Sequence, residues 1–287
     1  MRPANLVTSV ADVLAGATLS GFFESPGPGP FHIVATTLLL SLSTIGLYGG
    51  GVVFNDVFDA ALDAVERPER PIPSGLIKPG EAATLGTLLL VAGILTAIRL
   101  HPVSGLLAGL IAIAALVYDK WGKHHPLLGP LNMGLCRGLN LLLGISIVPA
   151  ALAQNWYIMG IPVLYIASIT MISRGEVHGG SRNLLYFAST LYALVIGCIG
   201  LVAIKKGTAL PTLLFLVPFA WMIFRPLITA MREPVGKNIG KAVKAGVIAL
   251  ILMNASWAAA YNSLYLALII VLLLPLSLWL ARLFAVT

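Results

Sequence analysis

Asn55, Asp59 and Asp63 recur at intervals of four residues. If the apolar run before them continues as a helix, the three side chains stack on one face. Adjacent carboxylates repel, so the stack is unfavourable alone. It becomes favourable around a hard divalent cation, and Mg2+ takes carboxylates together with substrate phosphate oxygens. Asp56 lies between them as a helper. Arg67 follows one turn after Asp63, with Arg70 close behind. Guanidinium groups there can grip a diphosphate through bidentate, charge-assisted bonds. The segment reads as a site for a magnesium-bound diphosphate at a membrane face. The competing reading is a solvated helix end with surface ion pairs.

The elements that must position these residues are membrane helices. Of 287 residues, 58% are hydrophobic and 10% charged, with a mean hydropathy of +0.94. A soluble domain has about 25% charged residues. The composition excludes a soluble enzyme, a disordered chain and a secreted disulfide scaffold, and leaves lipid as the main solvent. The net charge of +7 reads as loop charge of a membrane protein, not as nucleic-acid binding. Cys136 and Cys198 sit in apolar runs with no disulfide or metal spacing.

Ten apolar runs lie at roughly 5–24, 31–55, 81–99, 103–119, 127–152, 156–173, 184–204, 209–230, 241–260 and 263–284. Loop chemistry separates them, as at Ser25–Pro30, Pro71–Gly75, Gly179-Gly180 and Tyr261-Asn262-Ser263. The first run, Leu6 to Phe23, reads as a span and not as a cleaved leader. With the N-terminus inside, fourteen of the 18 bases fall in inner loops and three, Arg99, Lys205 and Lys206, outside. That bias predicts N-in and C-in topology with the charged segment at the cytoplasmic face.

The stretch Asn55–Asp63, NDVFDAALD, is followed by Arg67–Gly75, RPERPIPSG. It resembles the first aspartate-rich motif of the UbiA-type intramembrane prenyltransferases. Arg2-Pro3-Ala4-Asn5 resembles the family's entry to its first helix. Tyr118–Lys123 resembles its Tyr-x-x-x-Lys segment, with Gly122 at the usual lysine place and Lys123 one later. The resemblance implies an all-α polytopic membrane protein, one domain over residues 1–287, with nine or ten transmembrane helices around a central cavity. It implies Mg2+-dependent transfer of a prenyl group from an isoprenyl diphosphate to a small acceptor. The run from Tyr118 to Asn140 resembles the EboC branch, which hints at a cyclitol-like or phenolic acceptor. A bacterial cytoplasmic membrane is the expected location.

The family's second aspartate-rich motif is degenerate here. The loop Ile172–Arg182 holds one acid, Glu176, and no Asp. Glu176 and His178 are candidates for metal or acceptor-proton work, and Arg174 and Arg182 for direct diphosphate contact. Asn5 is either a diphosphate ligand, as the resemblance implies, or a helix cap. Tyr118 either faces a developing allylic cation or anchors the interface. Lys120 and Lys123 are diphosphate candidates or topology signals. Arg137 lies within a span, where an arginine is expensive; it reaches a diphosphate or acceptor, or else snorkels.

The expected site is thus Asp59, Asp63, Tyr118 and Glu176 for chemistry. Asn5, Arg67, Arg70, Lys120, Lys123, Arg137 and Arg174 would hold diphosphate, and Asn55, Asp56, Asp59 and Asp63 the metal. The alternative is a carrier or transporter that keeps the fold and lacks turnover.

Overall fold

The computed structural model describes residues 3–27, 29–176 and 179–284. Arg2 and His178 lie outside them. Helices dominate, and no strand occurs among the described residues. They are α1 (Pro3–Leu19), α2 (Pro30–Phe58), α3 (Ala60–Glu66), α4 (Pro79–Leu100), α5 (Pro102–Lys120), α6 (Leu128–Ile145), α7 (Pro149–Asn155), α8 (Gly160–Ser173), α9 (Arg182–Lys205), α10 (Ala209–Arg232), α11 (Gly236–Ala260), α12 (Leu264–Val271) and α13 (Leu273–Leu283).

Several ends follow from local chemistry. Proline opens α2, α4, α5 and α7, where its missing N–H is one of the orphan donors. Asn262 takes φ 65 between α11 and α12, a left-handed turn that asparagine tolerates. The last apolar run divides at Leu272 into α12 and α13. Pro275, three residues on, cannot donate to the preceding turn.

Among the described residues, eight helical segments are long and apolar enough to cross a membrane. They are α2, α4, α5, Pro149–Ser173, α9, α10, α11 and Leu264–Leu283. The protein is an integral membrane protein. The fifth expected run, 127–152, is corrected. Its helix stops at Ile145, and Pro149–Asn155 joins the following segment. The two remaining runs are α1 and α6, neither of which is among the eight. Both carry polar residues at their buried positions: Thr8, Ser9 and Asp12 on α1, Arg137 and Asn140 on α6.

Most of α11 is buried, with α1, α8, α9, α10, α12 and α13 packed on it. α1 packs on α2, α6, α11 and α13, and α6 packs also on α5 and α8. Small residues permit the closest approach. A Cβ on Gly144 would stand 2.2 Å from the Val13 carbonyl oxygen and 2.9 Å from Gly16 Cα. The α1 and α6 backbones therefore touch, and the residues one and two turns before each glycine face each other.

Candidate functional site

Two helix ends bring the charged residues together. α2 finishes at Phe58 with Asp59 as its cap, and α5 finishes at Lys120. Between them lies a cavity of about 280 Å³. Asn55, Asp59, Tyr118 and Asp119 line it near these helix ends, and Tyr48, Arg137 and Asn140 line it deeper in the bundle. Leu47, Val52, Ile111 and Met133 supply apolar wall.

The Asn55–Asp59–Asp63 series keeps helical hydrogen bonding: the Asp59 N–H donates to Asn55 O at 2.9 Å and the Asp63 N–H to Asp59 O at 2.8 Å. The expected single face over one continuous helix does not form. Asp59 separates α2 from α3, and only Asn55 and Asp59 line the cavity. Asp63 is buried and accepts from Arg70 Nη1 at 2.7 Å. A buried carboxylate requires such a partner, and Arg70 supplies it by folding back from the Arg67–Gly75 turn. Arg70 also reaches Asp56 at 3.4 Å. Lys123 pairs with Asp59. No group of three or more His, Cys, Asp or Glu side chains placed to hold a metal occurs among the described residues.

Asn55 Nδ2 donates to Asp119 Oδ1 at 3.1 Å. Asp119 is buried, so the cavity carries a second carboxylate that the motif reading passed over. Its signal lay beside Tyr118, in the segment read for its lysines. Glu81 accepts the Lys78 N–H at 3.0 Å and caps α4.

Other expected residues are dispersed. Arg67 and Lys120 are exposed, with Lys120 over the Trp121 ring at 4.6 Å. Arg174 is exposed and donates to the His125 carbonyl at 2.6 Å, tying the turn after α8 to the loop after α5. Glu176 and Asn5 do not line the cavity; Asn5 is buried in α1.

Arg137 is the largest surprise of position. Nine residues into α6, it stands about 14 Å from that helix start. Its Nη1 donates to Asp12 Oδ2 at 2.8 Å and its Nη2 to Thr8 Oγ1 at 2.9 Å. The guanidinium lies 5.4 Å from the centre of the Tyr48 ring. Asp12 also accepts from Asn140 Nδ2 at 3.2 Å and Asn254 Nδ2 at 2.8 Å. This buried node joins α1, α6 and α11. Of the two readings of Arg137, the snorkelling one does not hold, because the guanidinium is paired with Asp12 inside the bundle. Asp12 was legible as an acid inside the first apolar run, where an ionisable residue marks function or a partner.

The sequence profile of the UbiA prenyltransferase family matches residues 13–235. Digeranylgeranylglyceryl phosphate synthase of Methanosarcina barkeri is 36% identical over 124 residues, 43% of this chain and 43% of the relative. The synthase of the same name from Ignicoccus hospitalis is 32% identical over 181 residues, 62% of this chain and 56% of the relative. The chain spans about half the length of the curated relatives it matches. Among solved structures, a UbiA homologue from Aeropyrum pernix K1 superposes with a TM-score of 0.71 at 18% identity, over 89% of this chain and 98% of that one. A UbiA homologue from Archaeoglobus fulgidus bound to GPP and Mg2+ gives 0.61 at 17% identity, over 87% and 98%. At such identities the likeness is one of fold. These relatives are archaeal, and the two curated ones bear a lipid-synthase name and not that of the EboC branch.

Proposed function

This chain belongs to the UbiA prenyltransferase family, and on that premise we propose that it transfers a prenyl group from an isoprenyl diphosphate to a small acceptor inside the membrane. The observation that carries the reading is the cavity. Carboxylates and hydrogen-bonding groups gather at the α2 and α5 ends, and apolar wall lies between them and the polar groups at the deep end. A prenyl diphosphate has the same division between head and chain. The structure of an archaeal homologue with GPP and Mg2+ supports the donor class.

The donor set fits Mg2+. Asn55 and Asp59 offer hard oxygens on the cavity wall, and Asp63 follows across the α2–α3 junction, which suits an ion that binds a few protein oxygens and takes the rest from phosphate and water. Asp56 lies beside them. When bound, Mg2+ neutralises charge that builds on the departing diphosphate. In the structure Lys123 and Arg70 already neutralise Asp59 and Asp63. Both bases have long side chains beside the carboxylates, and in this reading they turn to the diphosphate oxygens as the donor arrives. Lys120, Arg67 and Arg174 add positive charge at the exposed rim, and Asn5 lies in the α1 segment nearest that end.

The C1–O bond of the donor breaks, and its electron pair leaves with the diphosphate. The acceptor's nucleophilic atom supplies the pair that forms the new bond to C1 and releases a proton. Asp119 lines the cavity and is better placed to take that proton than Glu176, which does not. The Tyr118 ring presents a π face to the allylic cation, and the apolar wall excludes water. The acceptor is an aromatic or a cyclitol- or sugar-like polar molecule, the class suggested by the EboC-branch resemblance. The charged end faces the cytoplasm under the positive-inside distribution.

The test is to incubate purified protein with labelled farnesyl or geranylgeranyl diphosphate, Mg2+ and an acceptor panel. Diphosphate release with a prenylated product supports the reading. The single acid in the 172–182 loop favours a second reading, a carrier without turnover. Donor binding without release across the whole panel selects it.

A further inference from the structure

We propose that the deep end of the cavity, built on Arg137 and Tyr48, binds the polar head of the acceptor, and that this head is neutral and hydroxyl- or carbonyl-bearing. The proposal rests on the prenyl-transfer reading. Arg137 is more than nine-tenths buried and lines the cavity. A guanidinium has five N–H donors. The bonds to Asp12 and Thr8 use two of them. Tyr48 lines the same wall, with its ring beside Arg137, and its hydroxyl makes no hydrogen bond to another described residue. A prenyl chain lying here would bury those donors without partners, which is unfavourable. An oxygen-bearing head satisfies them.

The charge balance sets the kind of head. Asp12 matches the guanidinium charge, and Asn140 and Asn254 complete its hydrogen bonds. An anionic head would add an uncompensated charge inside the bundle. A neutral hydroxyl or carbonyl adds none. The diphosphate belongs at the other end: Tyr48 precedes Asn55 by seven residues on α2, about 10 Å along the helix. Asp12 and Asn140 are positioning residues. Asn140 is itself saturated, donating to Ser9 O at 2.9 Å and accepting from Thr44 Oγ1 at 2.8 Å.

The experiment uses the full chain in nanodiscs. The probes are two neutral compounds, 4-hydroxybenzyl alcohol and myo-inositol, and one anion, 4-hydroxybenzoate. Geranylgeranyl diphosphate with Mg2+ is titrated separately. At least one neutral probe is expected to bind, more tightly than the anion. Tyr48→Phe keeps the ring and removes the hydroxyl, and the paired change Asp12→Asn with Arg137→Gln keeps a neutral network. Each should weaken the neutral probe about tenfold, with donor affinity held within about twofold. Tyr48→Phe keeps the test valid if the paired variant does not fold. The proposal is overturned if neither neutral probe binds, if the anion binds more tightly, or if Tyr48→Phe leaves probe affinity intact. An equal loss of donor affinity overturns it too, by placing these groups on the diphosphate. Probe binding as expected with no donor binding defeats the prenyl-transfer reading and leaves the polar site standing.

Discussion

Gly16 and Gly144 meet back to back, and their contact sets Asp12 beside Asn140 one turn earlier on each helix. α1 and α6 run in the same direction here, so the register of one contact fixes the next. Thr8 and Arg137 meet a turn further back. Gly144→Leu should therefore separate the two helices and misplace the buried node. A destabilisation of about 1–3 kcal/mol or more is expected from overpacking. Thermal unfolding in detergent measures it, and an unchanged transition would contradict the close approach.

Asp12→Ala leaves the Arg137 guanidinium buried without its counter-charge. The expected loss is about 3–5 kcal/mol. The paired change Asp12→Asn with Arg137→Gln should cost much less, because no lone charge remains. Denaturant titration of the three proteins checks the order. Equal losses would mean that packing, not charge, holds this node.

Asp59→Ala should reduce diphosphate release by about a hundredfold, since Asp59 lines the cavity. Asp63→Ala also frees Arg70, so it should reduce both release and stability. Rates with labelled donor, together with thermal transitions, separate the two effects. Full activity in both variants would make the metal-site reading wrong.

Asp119→Asn tests the carboxylate that accepts from Asn55. It should raise the Mg2+ concentration needed for half-maximal release about tenfold. A lower rate at every Mg2+ concentration, with no shift in that midpoint, would assign Asp119 to proton transfer alone.

Tyr261 lies just beyond α11, and its hydroxyl donates to Asn155 Oδ1 at 3.1 Å. Burial, with a smaller push from Tyr157, raises its phenol to about 12. The folded value lies above the unfolded one, about 10. Its contribution to stability is thus full below about pH 10 and is lost as pH rises to about 12. Tyr261→Phe should flatten that alkaline limb in a stability–pH profile. Parallel profiles would remove Tyr261 from the account.

Much of the fold was legible because lipid imposes a simple rule: a span must be long and apolar. Most runs match helices within a few residues. The fifth run misled because apolarity continues through Ile147, Val148 and Pro149, while the backbone turns there. The charged motif was legible through its spacing and its arginines. Its partners were not. Asp119 reaches Asn55 from the end of α5, and Lys123 reaches Asp59 from the turn after it, each across a separation of 64 residues.

By itself, the sequence determined an all-helical membrane chain, the segment that carries the charge, and the family to which its motif points. Those properties depend on composition and on neighbours within two helical turns. Tertiary structure alone decided that Asp63 faces Arg70 and not the cavity, that Asp119 joins Asn55, and that Arg137 is neutralised by Asp12. The first depends on how the chain folds back after α3, and the other two on which helices touch and in what register. A polar group in a low-dielectric interior takes whichever partner packing brings within hydrogen-bond reach, and packing is a property of the whole bundle.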